Sequence, residues 1–155
     1  MKWIDQMKLP IHKDDLMPVI RQGIFMSFTG GLLIGALHAF FTFQFGFSLT
    51  WLLLFILAHL TATRIRRSYN EYHILYSILS IFFFLLAYYL MSITLNLGVL
   101  FLYDALVPSF IIQVLNPLQY FKFINPFSSQ FYSVDNMLEL LFFLIGTYYA
   151  YRYSK

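Results

Sequence analysis

Ionisable side chains are uncommon within apolar segments. This chain has three that are predicted to lie near the same membrane surface. His38 lies near the end of the first apolar segment, Asp104 lies in a later one, and Glu139 enters the last. Such groups usually face protein or water and mark ion or proton pathways. We therefore predict an outer polar site containing His38, Asp104 and Glu139, suited to proton relay or cation binding.

His38 and Glu139 each have a simpler explanation that involves no function. A neutral His38 imidazole would be satisfied by one neighbouring hydroxyl or carbonyl. Asn136 lies three residues before Glu139 and forms an Asn-x-x-Glu variant of the capping box, in which the carboxylate returns to the N-cap amide. Capping would explain Glu139 without any chemistry, and no spacing in the sequence requires the three groups to meet.

A second group of charged residues surrounds the most polar stretch of the chain. These residues would bind an anionic lipid headgroup or a partner. The alternative is that the arginines only fix the orientation of the chain in a membrane. The candidate inner contacts are His59, Arg64, Arg66, Arg67, Glu71 and His73.

Neither a cofactor nor a metal is expected. The chain has no cysteine, and no histidine has the spacing of a zinc motif such as H-E-x-x-H. His38 and His59 would lie about 5 Å and about 15 Å below the same membrane surface, which is a poor match for two ligands of one haem. Nucleophile elbows and nucleotide-binding loops are absent from the sequence, so we predict that the chain is not an enzyme.

Small residues recur every four positions along the first apolar segment. Helices with such a stripe approach one another closely in membranes, because dispersion contacts act where no hydrophobic effect operates. The stripe is expected either to pack against the second or fourth predicted span or to dock a partner. Its members are Gly23, Ser27, Gly31, Gly35 and Ala39.

The composition indicates that the helices of this chain pack against one another in lipid. Of the 155 residues, 60% are hydrophobic and only 11% are charged. Soluble domains average about 25% charged residues. The composition therefore favours a membrane protein and excludes a nucleic-acid module with a large basic face.

The pattern of apolar runs predicts an all-α membrane domain over residues 1–155. Four transmembrane helices are expected at 19–41, 49–63, 74–94 and 137–151. Residues 1–18 are interpreted as a cytoplasmic interfacial segment, within which Trp3, Ile4, Met7 and Leu9 favour a short helix. Residues 97–136 are interpreted as an outer re-entrant or interfacial helical element. Five spans, with 97–115 crossing the bilayer, remain the alternative.

The distribution of Lys and Arg predicts the orientation. In the four-span arrangement nine of the ten basic residues are cytoplasmic and only Lys122 is outside. Both termini would then be cytoplasmic, in what we interpret as the plasma membrane.

Three function classes follow from these features. The first is a non-catalytic accessory subunit of a larger membrane assembly, because packing surface is abundant and polar chemistry is sparse. The second is a small homo-oligomeric channel or transporter with an outer polar vestibule. The third is a membrane-embedded enzyme acting on lipid at the inner face. The expected partners are membrane lipids and either another membrane subunit or further copies of the chain, with no nucleic acid.

Overall fold

The computed structural model describes residues 10–46, 48–104, 107–129 and 131–155. These residues form an all-helical fold without strands. The short helix predicted within residues 1–9 lies outside the described residues. The helices are α1 (Lys13–Phe45), α2 (Thr50–Arg66), α3 (Ile74–Leu102), α4 (Pro108–Val114) and α5 (Val134–Arg152), with 3₁₀ turns at Pro117–Gln119 and Lys122–Ile124.

The four long helices alternate in direction. Near the start of α1, Asp15 accepts hydrogen bonds from the α2–α3 turn, and Ser154 after α5 bonds to Ser77 near the start of α3. At the opposite end, His38 of α1 bonds to Thr50 at the start of α2. We call the end with Asp15 and Ser154 the inner end and the end with His38 and Thr50 the outer end.

Two of these helices are long and apolar enough to cross a membrane by length and composition, namely α1 with 33 residues and α3 with 29. The other two predicted spans do not reach that standard. Helix α2 has only 17 residues, and the first turns of α5 carry Asp135, Asn136 and Glu139, which lower its mean hydropathy. The prediction of four spans is therefore supported for two helices by this criterion.

The helix boundaries differ from the predicted ones in two places. Residues 13–18, predicted to belong to an interfacial segment, form the first turns of α1 with Pro18 inside the helix. Helix α3 continues to Leu102 and so includes residues predicted to belong to the outer element. The described remainder of that segment contains the seven-residue α4, the two 3₁₀ turns and the first three residues of α5. Because α4 rises about 10 Å, it is too short to be the fifth span.

The small-residue stripe of α1 packs within the chain, against α3 and not against the second or fourth span. A Cβ on Gly31 would lie 2.8 Å from the Ala87 carbonyl oxygen, and one on Gly35 would lie 2.7 Å from that of Met91. Ser27 donates a 2.8 Å hydrogen bond to the Phe83 carbonyl. Because this face of α1 carries only small residues, the backbones of α1 and α3 come into contact.

The core between the helices is aromatic and aliphatic. Phe84 is fully buried, and its ring packs at 6.1 Å from Phe143 of α5. Gly146 makes room for this ring, because a Cβ there would lie 2.8 Å from it. The large side chains on the other face of α1 are exposed. They include Ile24, Phe25, Phe28, Leu32, Leu33, Leu37 and Phe40.

Hydrogen bonds close the inner end. The Tyr69 hydroxyl donates to the Ser154 carbonyl and holds the C-terminus against the α2–α3 turn. Burial raises the pKa of Tyr69 to about 12, against the opposing effect of Arg66. The phenol therefore stays protonated, and able to donate, across the physiological pH range.

Candidate functional site

A polar cavity of about 290 Å³ opens at the outer end of the bundle. Each of the four long helices contributes to it, and the segment between α4 and α5 covers it. Cavities of this size are at the lower end of the range for small-ligand pockets. The polar side chains that line it are His38, Thr50, Tyr88, Ser92, Asn96, Gln119, Lys122, Asn136 and Glu139.

His38 is held by two hydroxyl groups. The side chain is 4% exposed, and its Nε2 lies 2.9 Å from Ser48 Oγ and 3.3 Å from Thr50 Oγ1. The two hydroxyls are themselves 2.5 Å apart. The other ring nitrogen, Nδ1, is buried with no hydrogen-bond partner among the described residues. His38 therefore keeps one unused hydrogen-bonding atom beside the cavity.

Glu139 is oriented by a tyrosine, not by a cap. The Tyr88 hydroxyl donates to Glu139 Oε1 at 2.9 Å. The predicted Asn136–Glu139 capping box is wrong, because Ser133 is the N-cap of α5 and accepts from the Asn136 amide. The Asn136 side chain instead donates to the Phe123 and Phe131 carbonyls. Glu139 is thus free of a capping role and faces the cavity.

A polar row on α3 forms another wall of the cavity. Tyr88, Ser92 and Asn96 follow one another at four-residue spacing, so they share one face of the helix. Ser92 donates to the Tyr88 carbonyl at 2.9 Å, and Asn96 donates to the Ser92 carbonyl at 2.9 Å. This row was not predicted, although its spacing is visible in the third apolar segment.

Tyrosine hydroxyls hold the covering segment in place. Tyr89 of α3 donates to the Leu115 carbonyl at 2.6 Å, and Tyr120 of the segment donates to the Val114 carbonyl of α4 at 2.7 Å. Burial raises the pKa of Tyr120, and the nearby Tyr89 adds to the effect. Phe123 packs 5.1 Å from the Phe143 ring of α5. These contacts bury Phe123 and so position the adjacent Lys122 at the cavity wall.

The two charges of the cavity do not touch. Lys122 and Glu139 both line it, yet within the described ranges the only ion pair joins His12 and Glu71, 3.3 Å apart at the inner end. A basic and an acidic group therefore face one space from different elements without neutralising each other.

A larger groove of about 530 Å³ adjoins the cavity between α2 and α5. Thr50 and Glu139 line both spaces, so the two adjoin at these residues. The groove has apolar walls and a polar outer rim to which Asp135 contributes a second carboxylate. Its apolar members are Trp51, Leu54, Leu138 and Phe142.

The third member of the predicted outer site lies elsewhere. Asp104 is exposed in the turn that follows α3, with a left-handed backbone (φ 52°), and it does not line the cavity. The cause is the extension of α3 to Leu102, which carries the turn past the level of His38. The structure brings together His38 and Glu139 but not Asp104.

The inner candidates do not converge. His59 is exposed, with its ring 5.5 Å from that of Tyr153, whereas the His73 Nδ1 accepts from the Leu75 amide and caps α3. Glu71 pairs with His12, and the Arg66 guanidinium lies 5.0 Å from the Tyr69 ring centre. Arg64 and Arg67 share a separate pocket of about 290 Å³ with Pro18, Gln22 and Ser68.

A buried carboxylate at the inner end was not predicted either. Asp15 is 7% exposed and accepts hydrogen bonds at 3.3 Å from the Asn70 and Glu71 amides and from the Asn70 side chain. Its role is to fix the α2–α3 turn. The hydrophilic first segment offered no signal to separate Asp15 from its neighbour Asp14.

Across the described ranges, no group of three or more His, Asp or Glu residues is arranged to hold a metal ion. Comparison of the chain with protein-family models, curated proteins and solved structures found no match. Function is therefore inferred from the geometry of the cavity and groove.

Proposed function

We propose that the chain is an integral membrane protein in which all four long helices cross the bilayer, with the cavity on the outer side. Helix α2 rises about 25 Å and α5 about 28 Å, close to the thickness of a hydrocarbon core of about 30 Å. Arg64, Arg66 and Arg67 extend α2 by snorkelling to the headgroups. This interpretation accounts for the large apolar side chains exposed on α1.

The distribution of charge supports the orientation. Lys13, Arg21, the three arginines of α2, Arg152 and Lys155 belong to the inner half of the bundle, and Lys122 belongs to the outer half. The positive-inside rule then places the inner end and both termini in the cytoplasm. We propose the plasma membrane as the location.

For function, we propose a non-catalytic accessory subunit that holds a ligand at the outer face of a larger membrane assembly. The observation that carries the proposal is the cavity, whose polar lining lies at the outer end of the bundle. Its apolar lining residues Met91 and Phe123 belong to the same buried cluster as Leu54, Phe84 and Phe143. A polar site backed by a packed core favours retention of a ligand over its passage through a single chain.

The small-residue stripe cannot be the docking surface for the rest of the assembly, because it is occupied by α3. The partner would instead contact the outward face of α1, where Phe25, Phe28 and Leu33 are exposed. Aromatic side chains supply large contact areas in such interfaces.

Native mass spectrometry of the tagged chain, extracted in mild detergent at low expression, tests the accessory role. We expect a stoichiometric foreign subunit that is lost in Phe25→Ala/Phe28→Ala but retained in the matched control Phe82→Ala/Phe101→Ala, which removes two exposed rings from α3. A monomer that copurifies with nothing would contradict an accessory role.

A channel or transporter is the second candidate, favoured by the shared position of His38 and Glu139 in one cavity. It requires a homo-oligomer to complete a path, and it predicts flux through proteoliposomes that His38→Ala changes. The accessory proposal predicts no flux in either form. The inner-face enzyme gains no support, since its candidate residues lie apart.

A further inference from the structure

The cavity and the groove together offer the polar and apolar surfaces that an amphipathic ligand requires. The cavity presents hydrogen-bonding groups at the outer end, and the groove beside it lies between α2 and α5 with apolar walls. Thr50 and Glu139 stand where the two meet. A ligand that filled both spaces would need a polar head and an apolar chain that lies parallel to the helices.

The charges restrict the chemistry of the head. Asp135 and Glu139 lie one helical turn apart at the rim of the groove, where no basic side chain lines the space among the described residues. Carboxylates in partly apolar surroundings favour a cation that donates hydrogen bonds. Lys122 on the cavity wall offers a complementary site for an anion. Opposite charges that line one cavity without pairing with each other suit a head that carries both signs.

The environment of His38 adds an independent observation. The side chain is almost entirely buried, with 4% of its surface exposed, and it lines the cavity. Its Nδ1 has no partner among the described residues. Buried polar atoms without partners are rare in folded proteins, because each costs free energy. Because Nδ1 has no surface open to the cavity, the ligand head would reach it only after the imidazole ring shifts.

We propose that this site binds a phospholipid with a primary ammonium headgroup, with the ammonium at Asp135 and Glu139, the phosphate at Lys122, and an acyl chain against Trp51, Leu138 and Phe142. This inference rests on the proposed outer ligand site and identifies its ligand. A quaternary ammonium lacks N–H donors and would bind more weakly. An anionic head without ammonium would meet two carboxylates and be repelled.

Trp51 provides a reporter inside the groove. The chain has two tryptophans, so Trp3→Phe leaves Trp51 as the sole one. This variant is reconstituted in vesicles of unlabelled phosphatidylcholine that contain increasing fractions of a lipid with brominated acyl chains, which quenches a tryptophan in contact with it. The headgroup is phosphatidylethanolamine, phosphatidylcholine or phosphatidylglycerol. The quenching curves yield the binding constant of each lipid relative to phosphatidylcholine.

We expect the relative constant for phosphatidylethanolamine to exceed those of the other two lipids by about five- to tenfold, the effect of one typical hydrogen bond. Asp135→Asn/Glu139→Gln should reduce it to about that of phosphatidylcholine. The fold should be preserved, since the amide oxygen introduced by Glu139→Gln still accepts a hydrogen bond from Tyr88. Asp14→Asn, which removes a carboxylate from the exposed inner end, should leave the constant unchanged.

Results that contradict the headgroup assignment differ from those that contradict the proposed accessory function. Preference for phosphatidylglycerol, or a preference for phosphatidylethanolamine that survives Asp135→Asn/Glu139→Gln, would overturn the assignment of the headgroup while leaving an outer ligand site in place. Equal constants for all three lipids would overturn it as well. The proposed accessory function fails separately, if the mass spectrum shows no partner.

Discussion

Substituting Gly31 or Gly35 by alanine should lower the free energy of unfolding by about 1–3 kcal/mol, the usual cost of overpacking a core. The added methyl groups would lie 2.8 and 2.7 Å from the carbonyl oxygens of Ala87 and Met91. Backbone cannot rotate away as a side chain does, so α1 and α3 must separate. Leucine at either position should prevent the native packing altogether.

Gly98→Ala is the matched control for this prediction. Its added Cβ would meet Ala39 Cβ at 3.4 Å, an ordinary contact. Because alanine favours a helix by up to about 1 kcal/mol over glycine, this variant should be as stable as the wild type or slightly more so. Thermal unfolding in detergent, followed by circular dichroism, compares the three proteins. Equal midpoints for Gly35→Ala and Gly98→Ala would refute the close contact of α1 with α3.

Phe84→Ala should have the second large effect, a loss of about 3 kcal/mol. The ring is fully buried and packs against Phe143, and Gly146 leaves no side chain able to fill the space. The value is at the lower end of the range for soluble proteins. In a membrane the unfolded side chain is solvated by lipid, so the cavity contributes most of the cost.

Phe82→Ala removes the same group from the exposed face of α3, where Phe82 is 56% exposed. It should change stability by less than about 0.5 kcal/mol, as surface substitutions usually do. Resistance to irreversible heat aggregation in detergent, measured for both variants, checks the difference. Similar losses for Phe82→Ala and Phe84→Ala would contradict the placement of α3 in the bundle.

The sequence predicted the helices well because their apolar runs are long and uninterrupted. It also identified the stripe containing Gly31 and Gly35 as a packing surface, but it assigned the wrong partner. Four-residue spacing shows which side chains share a face, whereas the neighbour of that face depends on the arrangement of all the helices. The close contacts with Ala87 and Met91 could not be read from either segment alone.

The outer site illustrates the same limit. His38 and Glu139 were recognisable as ionisable residues within apolar segments, and both line the cavity. Asp104 was misplaced because the third helix continues to Leu102, well beyond its predicted end at position 94. Lys122 was seen only as an exception to the charge rule, since its position at the cavity depends on how the 3₁₀ turns fold back over α3.

The orientation of the four helices in the bilayer is the central claim, and cysteine labelling tests it most directly. The chain has no cysteine of its own, so Phe127→Cys and Lys155→Cys each introduce a unique site at an exposed position. Intact cells are treated with a membrane-impermeant maleimide before and after permeabilisation. We predict that position 127 is labelled in intact cells and that position 155 is labelled only after permeabilisation. Labelling of position 155, but not 127, in intact cells would contradict this orientation and the outer site built on it. Labelling of both positions, or of neither, would contradict the four-span arrangement.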